Sequence, residues 1–103
     1  MIFQLVIQAR GNALDDYDLL LAFEEKLSSA IGALGEVDGH DAGSGETNIF
    51  IMTDDPKATF AKAVPVLQNF DLIGLVRAAY RDTGGTAYTM LWPPGAQQEF
   101  EVL

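Results

Sequence analysis

Val37 to Pro56, VDGHDAGSGETNIFIMTDDP, packs a strand end, a glycine-bearing loop, a buried strand and a helix start into twenty residues. The apolar run Ile49, Phe50, Ile51, Met52 within Thr47–Thr53 reads as a central strand, because an unbroken run of that length suits a strand covered on both faces. Leu34–Asp38 reads as a short strand before it. Gly39–Glu46, with glycines at 39, 43 and 45, reads as the connecting loop of a hairpin, longer than usual. Asp55-Pro56 opens a helix: a carboxylate caps the first free N–H groups, and proline suits the first helical position, where no donor is needed.

Outward from this block, residues 1–9 alternate. Met1, Phe3, Leu5, Ile7 and Ala9 point one way and Ile2, Gln4, Val6 and Gln8 the other, giving a strand with one apolar and one mixed face. The segment lacks a basic leader and a small-residue cleavage site, so it reads as a strand rather than a signal peptide. Residues 15–32 read as a helix whose inner stripe is Tyr17, Leu20, Leu21, Glu24, Leu27 and Ile31, apolar except for Glu24. Asp15, Asp16 and Asp18 crowd its first turn, where the dipole favours carboxylates, and Gly32 can stop it in a left-handed conformation. The helix from Pro56 carries Phe60, Ala63, Val64 and Leu67 inward. Pro65 is expected to kink or split it near Ala61, on the solvent side. Ile73–Arg81 and Thr86–Trp92 read as a strand pair around the turn Asp82-Thr83-Gly84-Gly85. Pro93-Pro94-Gly95 ends the sheet, and residues 95–103 read as an edge segment or a loose tail.

The order is βαββαβ plus an extra C-terminal strand. This predicts one α+β domain over 1–103 with a ferredoxin-like, split βαβ layout: an antiparallel sheet in the order 4-1-3-2, the fifth strand beside the fourth, and both helices on one face. The opposite face would then be open, lined by Leu75, Arg77, Ala79 and Arg81 with Ile2 and Val6. Mixed apolar and arginine surfaces of this kind suit association, so a homodimer through that face is expected.

The chain has fifteen acids against six bases, for a net charge of −9. Such a balance repels phosphate backbones and anionic membranes, which argues against both as partners, and it suits either plain solubility or a basic protein partner. There is no cysteine. Disulfides, thiolate metal sites and cysteine nucleophiles are thereby excluded, and a reducing, cytoplasmic setting fits.

The single histidine, His40, lies among Asp38, Asp41, Glu46, Asp54 and Asp55. Asp38, His40 and Asp41 are candidate ligands for a divalent cation, with Glu46 nearby, since hard oxygens and one imidazole suit such an ion. The spacing departs from an EF-hand, which needs oxygen ligands where Ala42 and Ile49 stand. His40 oriented by Asp38 or Asp41, with Ser44 and Thr47 close in sequence, is also a candidate general base. The glycines form no phosphate loop. Arg77 and Arg81 share one face of their strand and can clamp a carboxylate or pair with acids of a second subunit. Trp92, before two prolines, is either an aromatic anchor or a lid on the core. No cofactor is called for, and the residues lean away from catalysis.

The Val37–Pro56 block and the element order resemble small uncharacterised bacterial proteins of ferredoxin-like layout. Domains of that layout include dimeric monooxygenases, lactone isomerases, amino-acid-sensing modules and metal chaperones. The resemblance carries no catalytic residue across, and the Cys-x-x-Cys of the chaperones is missing. The expectation is a small acidic, non-catalytic binding or regulatory module acting through protein contacts, of inhibitor or immunity type. The alternative is a small dimeric enzyme or ligand-sensing domain with a pocket between sheet and helices, rimmed by His40, Arg10 or the strand arginines Arg77 and Arg81.

Overall fold

The alternation of the first strand sets the architecture. In the computed structural model, which describes residues 1–43, 45–95 and 100–102, β1 (Phe3–Arg10) is the central strand. It pairs antiparallel with β3 (Glu46–Thr53) on one side and β4 (Val76–Asp82) on the other. β2 (Gly35–Gly43) lies outside β3, and β5 (Thr89–Trp92) outside β4. The sheet is five-stranded and antiparallel in the order β2-β3-β1-β4-β5. With α1 (Tyr17–Ile31) and α2 (Pro56–Asn69) the chain is α+β. Leu5 stands opposite Ile51 and Tyr80, and Ile7 opposite Ile49 and Ala78. The odd positions of β1 thus form one apolar row across three strands.

Both helices pack on that row. Leu20, Phe23, Leu27 and Ile31 of α1 and Phe60, Ala63, Val66 and Leu67 of α2 join Leu5, Ile7, Ile49, Ile51, Val76 and Ala78 in one core. The inner stripe of α1 is centred one position round from the expected one. Phe23 is wholly buried, edge-on to Phe70 at 5.3 Å between centroids, whereas Tyr17 and Leu21 are 63 % and 42 % exposed. The bulkiest side chain of the turn takes the deepest place and rotates Tyr17 and Leu21 to the rim. Asp16 caps α1 by accepting from the Leu19 N–H at 3.1 Å, and Asp55 caps α2 by accepting from the Ala58 N–H at 3.1 Å. Gly32 (φ 53°) ends α1 with its N–H on the Ser28 carbonyl. The expected split at Pro65 does not occur: α2 is continuous through it. Pro65 and Ala61 are both exposed, so the carbonyl that loses its donor stands on the wet side.

The expected loop over Gly39–Glu46 is largely strand, because β2 runs to Gly43 with Asp38 as the extra residue of a bulge between Val37 and Gly39. Gly39 (φ 144°) and Gly43 (φ 158°) hold conformations open to glycine, which lets the strand bend while staying paired. Glycines that read as loop composition therefore serve the ladder. β4 and β5 also start later than expected, at Val76 and Thr89. No helix is long and apolar enough to cross a membrane among the described residues.

One contact at the edge of the sheet gives a sharp prediction. A Cβ on Gly35 would lie 2.9 Å from the Met52 carbonyl oxygen and 3.2 Å from Ile51 Cγ2. Gly35→Ala must push β2 off β3 and is expected to destabilise by about 1–3 kcal/mol in urea unfolding. Gly74→Ala, which meets nothing within 4 Å, is the control and should stay within about 0.5 kcal/mol of wild type.

The face away from the helices is not bare. Val6, Ala79 and Phe100 are buried there, with Phe50, Tyr88, Met90 and Val102 packed against them. The expectation of an open face is corrected accordingly: residues 100–102 lie across it, outside any strand. The rest of the expected tail, residues 96–99 and 103, lies outside the described residues, as does Ser44.

Candidate functional site

At one end of the sheet the turn after β1, the first turn of α1 and the β2–β3 hairpin surround a cleft of about 270 Å³. Gly11, Leu14, Asp15, Tyr17, His40 and Thr47 are among its walls. The turns are tied together by the Gly11 N–H, which donates to the Gly45 carbonyl at 2.8 Å. His40 stands opposite Ile49, whose side chain belongs to the helix-side core, so His40 faces α1. There its Nδ1 lies 3.0 Å from Glu24 Oε1, with the two side chains 28 % and 14 % exposed. The Tyr17 ring is edge-on to the imidazole at 6.4 Å.

Strand alternation separates the residues expected to act together. Asp41 stands opposite Asn48, on the other face of the sheet, and Asp38 is the exposed bulge residue. Asp38, His40 and Asp41 therefore do not converge. No group of three or more His, Asp or Glu side chains suited to a metal occurs among the described residues. The partner that orients His40 is Glu24, sixteen residues earlier in sequence, rather than Asp38 or Asp41. Its signal was its place as the one charged residue in an otherwise apolar helical stripe.

Glu46 belongs chiefly to a second cluster, on the sheet face opposite α1 and α2. It is 7 % exposed, and its Oε2 accepts from Gln8 Nε2 and Asn48 Nδ2, both at 2.9 Å. Gln8 is fully buried and central: its Oε1 accepts from Arg77 Nη2 at 2.7 Å, while its Nε2 also lies 3.0 Å from Asn48 Oδ1 and 2.9 Å from the Glu101 carbonyl oxygen. The Arg77 guanidinium sits over the Phe100 ring, 5.3 Å from its centroid. Burial pushes the Arg77 pKa below its ordinary value, the positive charge of Arg10 adds to this, and Glu46 opposes it. Gln8 and Asn48 were not among the expected site residues. The glutamines on the mixed face of β1 were their only trace.

Arg81 and Trp92 are engaged in holding the fold. Arg81 Nε donates to Gln4 Oε1 at 3.1 Å, and its Nη1 reaches the carbonyls of Asp82, Thr83 and Gly85 at 3.0–3.3 Å, clamping the turn that follows β4. Arg77 and Arg81 thus turn to different glutamines of β1. Half-buried Trp92 donates its indole N–H to the Ile73 carbonyl at 3.0 Å and stands 6.1 Å from the Phe60 ring.

Compared with family models, with curated proteins and with solved structures, the chain finds no match in any of the three.

Proposed function

We propose that this chain is a small acidic binding module that acts through contact with a cationic protein surface and performs no chemistry of its own. The observation that carries the reading is Tyr17, a large aromatic side chain 63 % exposed at the mouth of the cleft. Leu21, one turn on, is 42 % exposed. Exposed Asp15, Asp16 and Asp18 flank Tyr17 in sequence at the start of α1. An aromatic and an aliphatic residue flanked by carboxylates suit a partner that offers an apolar contact beside basic side chains. The net charge of −9 speeds encounter with such a partner.

The sheet order, read from the β5 edge as 5-4-1-3-2, supports a ferredoxin-like assignment, with the fifth strand as an addition at one edge. Cytoplasmic residence is part of the same proposal and is supported by the cysteine-free sequence.

The test is titration with a soluble amphipathic peptide of lysine and leucine. Tyr17→Ala should weaken binding about tenfold or more, as loss of an aromatic anchor does. Wild-type affinity should fall as salt shortens the screening length. Affinity indifferent to both would refute the reading.

A second reading, a small-ligand site in the cleft, is favoured by the imidazole that Glu24 holds at its wall. A thermal-shift screen of metals and small ligands on wild type and His40→Ala separates the two. The protein-contact reading expects a flat screen. A ligand that raises the wild-type midpoint by several degrees, with no effect on the variant, would establish the second reading.

A further inference from the structure

The two edges of the sheet differ. β5 has four residues, shifts register against β4 and runs into Pro93 and Pro94, so it offers little ladder to a further strand. β2 has nine residues and pairs with β3 alone among the described residues. Alternate residues of an antiparallel edge strand turn their N–H and C=O groups away from the sheet. No backbone hydrogen bond outside the β2–β3 ladder engages residues 36–43 among the described residues. Glu36, Asp38 and residues 40–43 are all exposed, so this edge lies open to solvent.

Pleating divides what a strand added to β2 would meet. Val37 and His40 stand opposite Ile51 and Ile49 of the helix-side core. The Tyr17 ring is edge-on to His40 at 6.4 Å on that side, which suits apolar side chains. Glu36 and Asp41 stand opposite Met52 and Asn48, on the other face, and Asp38 is the bulge residue between them. These three carboxylates make no side-chain hydrogen bond or ion pair among the described residues, and β2 carries no lysine or arginine. That side suits cationic side chains, because opposite charges on neighbouring strands attract.

We propose that β2 is a strand-addition edge, which pairs with an extended segment of a basic protein whose residues alternate between cationic and apolar side chains. The proposal rests on the reading of the chain as a binder of cationic protein surfaces, and it gives that contact its geometry. Backbone pairing along β2 supplies affinity, and the alternation of the added strand supplies specificity. The same charges exclude a second copy of the chain. Two β2 edges would set acid against acid, whereas a basic strand is drawn in.

The test is titration of the full chain with a decapeptide of alternating lysine and valine, and with the same peptide N-methylated at its four central amides. N-methylation keeps every charge and side chain but removes the donors that an added strand must supply. The unmodified peptide should bind about tenfold or more tightly than the N-methylated one. It should also slow amide hydrogen exchange at alternate residues of β2. Glu36→Lys with Asp41→Lys, both at exposed positions, should weaken binding about tenfold or more while the circular dichroism spectrum stays native. Equal binding of the N-methylated peptide, unchanged exchange along β2 in the complex, or full affinity in the double variant would overturn strand addition and leave the basic-partner reading in place. Binding by neither peptide would overturn both.

Discussion

Phe23→Ala is expected to destabilise the protein by about 3–5 kcal/mol, the usual cost of truncating a buried aromatic ring without collapse of the site. Phe23 has no exposed surface and lies in the core shared by both helices and the sheet. Its ring meets Phe70 edge-on, so truncation also removes an aromatic pair. A domain of this size has about 5–15 kcal/mol in total, so the variant should melt many degrees lower or fail to fold. Phe23→Leu keeps most of the volume and should lose markedly less. The reading with Tyr17 and Leu21 in the inner stripe predicts the reverse, large losses from those two residues. Equal, small effects of Phe23→Ala and Leu21→Ala in urea unfolding would contradict the observed packing of α1.

Gln8→Leu carries the second large effect, expected at about 2–4 kcal/mol although leucine nearly matches glutamine in size. The substitution takes the acceptor from Arg77 Nη2 and a donor from Glu46, Asn48 and the Glu101 carbonyl. Buried polar groups left without partners cost more than the hydrogen bonds contributed. Gln4→Leu is the comparison. Gln4 is half-buried and accepts from Arg81 Nε, but Arg81 keeps its backbone carbonyl partners, so the loss should be about 1 kcal/mol or less. A double-mutant cycle of Gln8→Leu with Arg77→Leu should give a coupling within about 0.5–3 kcal/mol. Additive losses would mean that the two side chains act independently.

The contrast between these two sites tracks what was legible in the sequence. Strong periodicity marked β1, the apolar run of β3 and the two helices; Asp55 marked the N-cap of α2, whereas Asp15, Asp16 and Asp18 marked the start of α1 without singling out Asp16 as its cap. Composition misled where glycine performs a strand function: Gly39 and Gly43 read as loop, yet their positive φ values hold a bulged edge strand. Placing β2 correctly then decides the site. A strand sends adjacent residues to opposite faces, so His40 goes to Glu24 while Asp41 and Glu46 turn away from it. A loop would have allowed them to cluster. The polar network under Phe100 was out of reach for a different reason. Gln8, Glu46, Arg77 and Glu101 meet only through pairing across 38 to 93 residues of sequence, and no local pattern signals such contacts.

The most direct test of the proposed function is a map of where a cationic partner touches the protein. Backbone amide shifts of the full chain should be followed by NMR during titration with the lysine–leucine peptide. Shifts concentrated at residues 15–21 and 38–43, fading as salt rises, are expected. Shifts confined to the sheet face opposite α1 and α2, or no saturable shifts at low salt, would contradict the proposed function.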